Sequence, residues 1–164
     1  MDFKRFSAGP ISYGKKSPQT DKNKIKERRI TNVDFEDDSA FEHLKDTSHE
    51  NHEYLTTFME ILAVCHTIIV EEKKGETVYN ASSPDELALV NAAKFFGFNF
   101  KGRDDENNMI VDNNGYETKY KLLNLIEFTS TRKRMTVVVR TEDGRILVMC
   151  KGADSIITPR LKPN

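Results

Sequence analysis

Two adjacent carboxylates, Asp85 and Glu86, lie at the start of a predicted helix, where they could do chemistry. They could bind a polar ligand or transfer protons as an acid and a base. Alternatively, Glu86 completes a capping box with Ser83, and Asp85 interacts favourably with the positive end of the helix dipole. Both interpretations can hold together, because a cap also fixes a side chain at the edge of a cleft.

Two groups of cations follow aromatic or apolar segments further along the chain. Residues 132–134 are three consecutive cations shortly after Phe128 and could hold a nucleotide or a nucleic acid. Alternatively, they begin a strand and face water. Lys151 ends an apolar run and precedes Gly152, so its ammonium could lie over a phosphate or a base. The alternative is a strand-to-helix turn capped by Asp154.

The histidines and cysteines offer little metal chemistry. His49 and His52 are three residues apart, but their spacing matches no metalloprotease helix motif, and we expect no metal site. His66 is expected at the edge of a helix. Cys65 and Cys150 lie far apart without a CxxC spacing, which argues against a disulfide framework and favours a reducing compartment.

The composition limits the classes of protein. The chain has 164 residues, of which 37% are hydrophobic and 31% charged, with a formal net charge of −1. A length of this size fits one domain with a core and at least one long polar segment. No basic field for nucleic acid is present, and no stretch approaches the roughly 18 apolar residues of a membrane span.

The polar segment lies towards the start of the chain. Residues 1–14 are expected to form a short strand with a Gly-Pro break, and residues 15–52 a polar, flexible insertion. Within that insertion, 15–29 is basic, and 33–52 begins with an acidic cluster that could attract it weakly. We expect order to begin near residue 53.

The periodicity then changes from helical to extended. Apolar residues at helical spacing predict a helix from residue 53, and Ser83 and Pro84 predict the start of a second helix that Gly97 ends. From residue 98 the period is two, with predicted strands at 98–100, 109–111, 116–128, 133–140 and 145–151. This order predicts an α+β fold, with an antiparallel sheet and helices on one face.

Three motifs in this order resemble a known family. They are 82–86 (SSPDE), 128–135 (FTSTRKRM) and 150–154 (CKGAD), and together they resemble the nucleotide-binding (N) domain of P-type ATPases. The variants are more similar to the phospholipid-transporting (flippase, fourth) class than to the cation pumps. Residues 1–14 resemble the segment that follows the phosphorylation loop in these enzymes.

The resemblance implies a role for each motif residue. Phe128 would stack on adenine, Glu86 would accept a hydrogen bond from the adenine amino group, and Lys151 would line the pocket and reach towards the phosphates. Ser130 would be a secondary contact, and Gly152 would allow close approach of the backbone. These five residues are the predicted ATP-binding residues; no catalytic or metal-binding residue is predicted.

The resemblance also implies the surroundings of the domain. ATP with Mg²⁺ would be presented to an aspartate in the phosphorylation domain, with an actuator domain of the same parent chain as a further partner. Residues 1–14 would link from the phosphorylation domain, and 53–164 would be the nucleotide-binding domain, expected to be truncated at its C-terminal end. The location would be the cytosolic face of a membrane, reached only through helices of the parent. This fragment alone is not expected to complete catalysis, because the family's Asp-Lys-Thr-Gly-Thr loop is absent.

A second hypothesis belongs to another class of protein. The chain would be an interaction or regulatory module without a nucleotide site. Its working part would be the charged segment 15–52, which would dock a partner or a lipid headgroup.

Overall fold

A computed structural model describes residues 1–14, 30–73 and 76–162. The helices are α1 (Ser39–Lys45), α2 (His52–Val64), α3 (Pro84–Phe95) and α4 (Asp154–Ile157), followed by a 3₁₀ turn at Thr158–Arg160. The strands are β1 (Phe6–Ala8), β2 (Ile11–Tyr13), β3 (Ile69–Lys73), β4 (Glu76–Asn80), β5 (Phe98–Arg103), β6 (Asn108–Asn113), β7 (Tyr116–Ile126), β8 (Arg134–Arg140) and β9 (Ile146–Gly152). Within the described part, no helix has the length and apolar character needed to cross a membrane.

Strands β5 to β9 form a five-stranded antiparallel meander in which each strand pairs with its neighbour in sequence. Alternate side chains of each strand enter the core; Phe100 on β5 is fully buried and pairs with Val111 on β6. Helix α2 packs against α3, β5, β6 and β9, and so spans the covered face of the sheet. The predicted α+β fold with an antiparallel sheet flanked by helices is confirmed.

The prediction that order begins near residue 53 is wrong. Phe3 and Phe35 are buried in an aromatic cluster that Phe6, Phe41, Phe58, Phe95 and Phe96 complete. Residues 30–52 include α1, and Ala40 is fully buried. The average composition of this segment is polar, but a few large apolar side chains are enough to anchor it. The basic stretch 15–29 lies outside the described residues, and the division into domains remains a prediction.

One acidic side chain of this segment has a structural role. Asp37 accepts hydrogen bonds from the Gly14 amide at 2.8 Å and from the Ser39 hydroxyl at 2.6 Å. It therefore joins the end of the β1–β2 hairpin to the start of α1. A carboxylate used in this way stabilises the turn before α1.

Two differences from the predicted elements bear on the site. Strand β3 is not predicted from the sequence, although it pairs with β4 from Ile69 to Lys73. Strand β7 ends at Ile126, two residues earlier than predicted, so that Phe128 lies in the loop before β8. Because a loop side chain is free of the alternation of a sheet, this ring is not directed into the core.

Candidate functional site

The start of α3 holds the Glu86 carboxylate in a defined position. As predicted, Ser83 is the N-cap: its hydroxyl accepts the Glu86 amide at 3.1 Å, and Pro84 is the first helical residue. The other half of the predicted capping box is wrong, because the Glu86 side chain binds Thr67 and Ser82 instead of the N-cap amide. The reason is tertiary: the turn after α2 places Thr67 beside the carboxylate, next to Ser82, which directly precedes α3.

Three short hydrogen bonds reach the Glu86 carboxylate, which is 7% exposed. The Thr67 amide donates to Oε1 at 2.8 Å, and the hydroxyls of Thr67 and Ser82 each donate to Oε2 at 2.9 Å. The Ser82 amide adds a long contact to Oε2 at 3.4 Å. Asp85, by contrast, is exposed. Of the two carboxylates, the structure therefore selects Glu86 as the one built into the protein.

Lys151 faces Glu86 from the opposite side of the site. It lies on β9 opposite Met135, and its Nζ is 4.0 Å from Glu86 Oε1. That Nζ atom is buried and has no hydrogen-bond partner within the described residues. Burial lowers the pKa of Lys151, and electrostatic interactions with Cys65 and Glu86 oppose the shift. An ammonium with three donors and no acceptor is a group that a ligand could satisfy.

The hydrogen bonds to Glu86 determine its protonation. Burial alone would raise the pKa of the Glu86 carboxyl, but the hydrogen bonds from Thr67 and Ser82 and the Lys151 ammonium outweigh burial. The pKa therefore lies below its ordinary value of 4.5. At neutral pH the pair consists of a carboxylate and a buried ammonium.

This shift predicts a pH-dependent contribution to stability. Because the pKa of Glu86 is lower in the folded than in the unfolded state, the contribution is complete above about pH 4.5. It is lost as the pH falls through the lower pKa of the folded state. The free energy of unfolding of the wild type and of Glu86→Gln, measured in urea from neutral to acidic pH, should therefore converge on acidification.

Asp85→Asn is the matched control, since Asp85 is the exposed neighbouring carboxylate. Its pH profile should follow that of the wild type. A difference between wild type and Glu86→Gln that stays constant down to the acid limit would contradict the pKa shift of Glu86.

The loop before β8 carries Phe128 and Ser130, both exposed; the Phe128 side chain is 59% exposed. The loop is tied together internally, because the Arg132 guanidinium donates to the Glu127 carbonyl at 3.2 Å and the Lys133 amide donates to the Thr129 carbonyl at 2.7 Å. Arg132 thus stabilises the loop by a hydrogen bond within it, a role that neither sequence interpretation of residues 132–134 included. The result is a fixed loop that holds an aromatic ring in solvent.

Gly152 joins this loop to the end of β9. It pairs with Arg134, and the Ala153 amide donates to the Lys133 carbonyl at 3.0 Å. A Cβ on Gly152 would lie 2.5 Å from the Arg134 Cβ and 2.6 Å from the Lys133 carbonyl oxygen. The close approach that Gly152 permits is therefore one between β9 and β8. The same contact places the loop of Phe128 and Ser130 next to the strand that carries Lys151.

The predicted turn after β9 differs in one detail. Ala153, not Asp154, is the N-cap of α4, and Asp154 lies inside the helix with its carboxylate accepting the Ser155 amide at 2.6 Å. Asp154 therefore accepts a hydrogen bond within the first turn of α4 and is not the N-cap of that helix.

The sequence interpretation missed Thr67 and mistook the position of His66. His66 is fully buried beyond the end of α2, where its Nε2 contacts the Ala63 carbonyl at 2.8 Å and its ring packs edge-on against Phe100. Burial lowers the pKa of His66 to about 3, so the ring is neutral. Polar residues directly after an apolar helix were the signal that could have drawn attention to this turn.

Cysteine and metal chemistry find no support at this site. The Cys65 thiol donates to the Met149 carbonyl at 3.5 Å, and burial raises its pKa to about 11. His49 stacks on His43 with ring centroids 3.7 Å apart. Among residues 1–14, 30–73 and 76–162, no group of three or more potential ligands could hold a metal ion.

Two depressions of the surface lie elsewhere. One of about 510 Å³ lies between the β1–β2 hairpin and α2, and one of about 560 Å³ lies beside the C-terminal end of α3. Neither is lined by Glu86, Phe128 or Lys151. The candidate site combines the buried side chains of Glu86 and Lys151 with the exposed Phe128 of the loop that adjoins the end of β9.

Comparison with known proteins points to one family. Residues 54–162 match the family described as P-type ATPase, cytoplasmic domain N. The chain is 37% identical over 177 residues to phospholipid-transporting ATPase IC of Xenopus tropicalis. The matched region covers 100% of this chain and 13% of that protein. It is 51% identical over 114 residues to probable phospholipid-transporting ATPase 5 of Arabidopsis thaliana. That match covers 65% of this chain and 9% of the relative.

A human relative gives the same result. Phospholipid-transporting ATPase IC of Homo sapiens is 48% identical over 104 residues, covering 63% of this chain and 8% of that protein. The chain thus spans 8% to 13% of the length of these curated relatives.

Proposed function

Because the chain belongs to the family of the cytoplasmic N domain of P-type ATPases, we propose that it binds ATP by the adenine end at the site of Glu86, Phe128 and Lys151. The single observation that carries the proposal is the Lys151 Nζ, which is buried 4.0 Å from Glu86 Oε1 and has no hydrogen-bond partner among the described residues. A ligand that satisfies this site must accept from the ammonium and can donate to the carboxylate.

Adenine has the required pattern of hydrogen-bonding groups. Its 6-amino group is a donor, and the adjacent ring nitrogen is an acceptor. The amino group would donate to Glu86 Oε1, and a ring nitrogen would accept from Lys151. Phe128 would stack on the face of the base, since its ring is exposed and held by a fixed loop. Ser130, exposed in the same loop, is proposed as a secondary contact.

The phosphate end is assigned to another part of the parent protein. Phosphoryl transfer depends on positioning and electrostatic stabilisation around Mg²⁺. Among residues 1–14, 30–73 and 76–162, no group of three or more potential metal ligands is found. The role of this chain is to hold the base while an aspartate of the phosphorylation domain receives the phosphoryl group.

The parent protein is proposed to be a phospholipid-transporting ATPase. Support comes from relatives of that printed name, which are 37% to 51% identical to this chain. The chain would then work at the cytosolic face of a membrane, with the phosphorylation and actuator domains of the same protein as partners.

The affinity for ATP is expected to be weak. One stacked ring and two polar contacts support a dissociation constant of about 0.1–1 mM. This corresponds to a free energy of binding of about −5.5 to −4 kcal/mol.

An amide chemical-shift titration with ATP, with and without Mg²⁺, tests the proposal. Saturable shifts should centre on Glu86, Phe128 and Lys151 and should persist without Mg²⁺, because the base anchors the ligand. A well-dispersed spectrum without shifts at several times the expected dissociation constant would refute the proposal.

A further inference from the structure

We propose that Thr67 and Ser82 form a hydroxyl clamp on Glu86 that makes this site selective for purines with a 6-amino group. The inference rests on the proposed function, which it deepens. Neither residue belongs to the predicted ATP-binding residues. Both lie against Glu86: the Thr67 hydroxyl and the Ser82 hydroxyl are 2.9 Å from the same oxygen, Oε2, and 3.2 Å from each other.

The clamp decides which oxygen of the carboxylate is open. Each oxygen has about two lone-pair positions. On Oε2 both are occupied by the two hydroxyls, and on Oε1 one is occupied by the Thr67 amide. The remaining position is on Oε1, the oxygen that faces the Lys151 Nζ at 4.0 Å. A ligand group beside Lys151 therefore meets one acceptor in a defined place.

Without the clamp this geometry would not be maintained. The last torsion of a glutamate side chain has a broad and nearly two-fold profile, so the carboxylate plane is not set by the side chain itself. Three hydrogen bonds from two elements, the turn after α2 and the start of α3, set that plane. A fixed carboxylate oxygen accepts a hydrogen bond from the 6-amino group of adenine, whereas a purine without that group leaves this oxygen unpaired.

Thr67→Val tests the clamp, because valine is nearly isosteric with threonine and keeps the backbone amide that binds Oε1. The affinities of ATP and of purine riboside triphosphate, which lacks the 6-amino group, are compared by chemical-shift titration. The wild type should prefer ATP by about tenfold, the effect of one hydrogen bond to a charged group. In Thr67→Val the preference should fall to about threefold or less.

One further variant and two control variants test the same preference for ATP. Ser82→Ala removes the other hydroxyl at an exposed position and should act in the same direction, whether or not Thr67→Val folds. Thr67→Ser keeps the hydroxyl and should retain the wild-type preference. Thr118→Val, the same exchange on β7 away from the site, should leave the preference unchanged.

The pKa of Glu86, followed by carboxyl ¹³C shifts, provides a readout that needs no nucleotide. Removal of either hydroxyl should raise this pKa, because both donate to the charged form. Binding of ATP with an unchanged preference and an unchanged pKa in both variants would overturn the clamp alone. Failure of the wild type to bind either nucleotide would refute both the proposed function and the selectivity. Even then, a raised pKa of Glu86 in Thr67→Val and Ser82→Ala would support the clamp itself.

Discussion

Phe128→Ala should weaken ATP binding about tenfold, because stacking of a base on an aromatic ring contributes about 1–3 kcal/mol. The Phe128 side chain is 59% exposed and lies in a loop held by the hydrogen bonds of Arg132 and Lys133. Its removal should therefore leave the free energy of unfolding within about 0.5 kcal/mol of the wild type. The measurement is the dissociation constant for ATP from amide shifts, with unfolding in urea measured on the same samples.

Tyr116→Ala is the matched control, since Tyr116 is an aromatic residue of β7 that is 72% exposed. It removes a similar ring from a place where no contact with ATP is proposed, so the dissociation constant should not change. Unaltered affinity in Phe128→Ala, with an intact fold, would contradict the proposed stacking of adenine on Phe128.

Gly152→Ala should destabilise the protein by about 2–3 kcal/mol, the upper part of the range for overpacking. The added Cβ would lie 2.6 Å from the Lys133 carbonyl oxygen and 2.8 Å from the Arg134 Cα, both backbone atoms that cannot turn away. Strands β8 and β9 must then separate at Gly152, which lies next to Lys151 on β9 and beside the loop that carries Phe128. Urea unfolding should show the loss of stability, and ATP titration should show weaker binding.

Gly144→Ala separates this effect from the general effect of placing alanine at a glycine. Nothing lies within 4 Å of a Cβ at Gly144, but its φ of +86° disfavours a side chain. That variant should lose about 1–2 kcal/mol, from the backbone conformation alone, and keep its affinity for ATP. Equal stability of Gly152→Ala and the wild type would contradict the tight β8–β9 contact.

Local patterns were enough to predict much of the fold. The start of α3 follows from Ser83 and Pro84, because a cap and a first-turn proline act within four residues of the chain. The meander from residue 98 follows from the alternation of apolar residues and the turns between them. The segment 30–52 could not be predicted in this way, because Phe35 and Ala40 are buried by contacts with distant residues.

The sequence by itself determined the α+β class, the order of strands β5 to β9, and the three motifs whose order resembles the P-type ATPase N domain. Each of these depends on neighbours in the chain. Only the tertiary structure decided that Thr67 and Ser82 hold Glu86 and that Gly152 serves the β8–β9 contact. It also decided that the buried Lys151 Nζ has no hydrogen-bond partner in the part of the chain that the structure describes. Thr67 and Glu86 are 19 residues apart and Glu86 and Lys151 further still, so their contacts exist only once the helices have packed on the sheet.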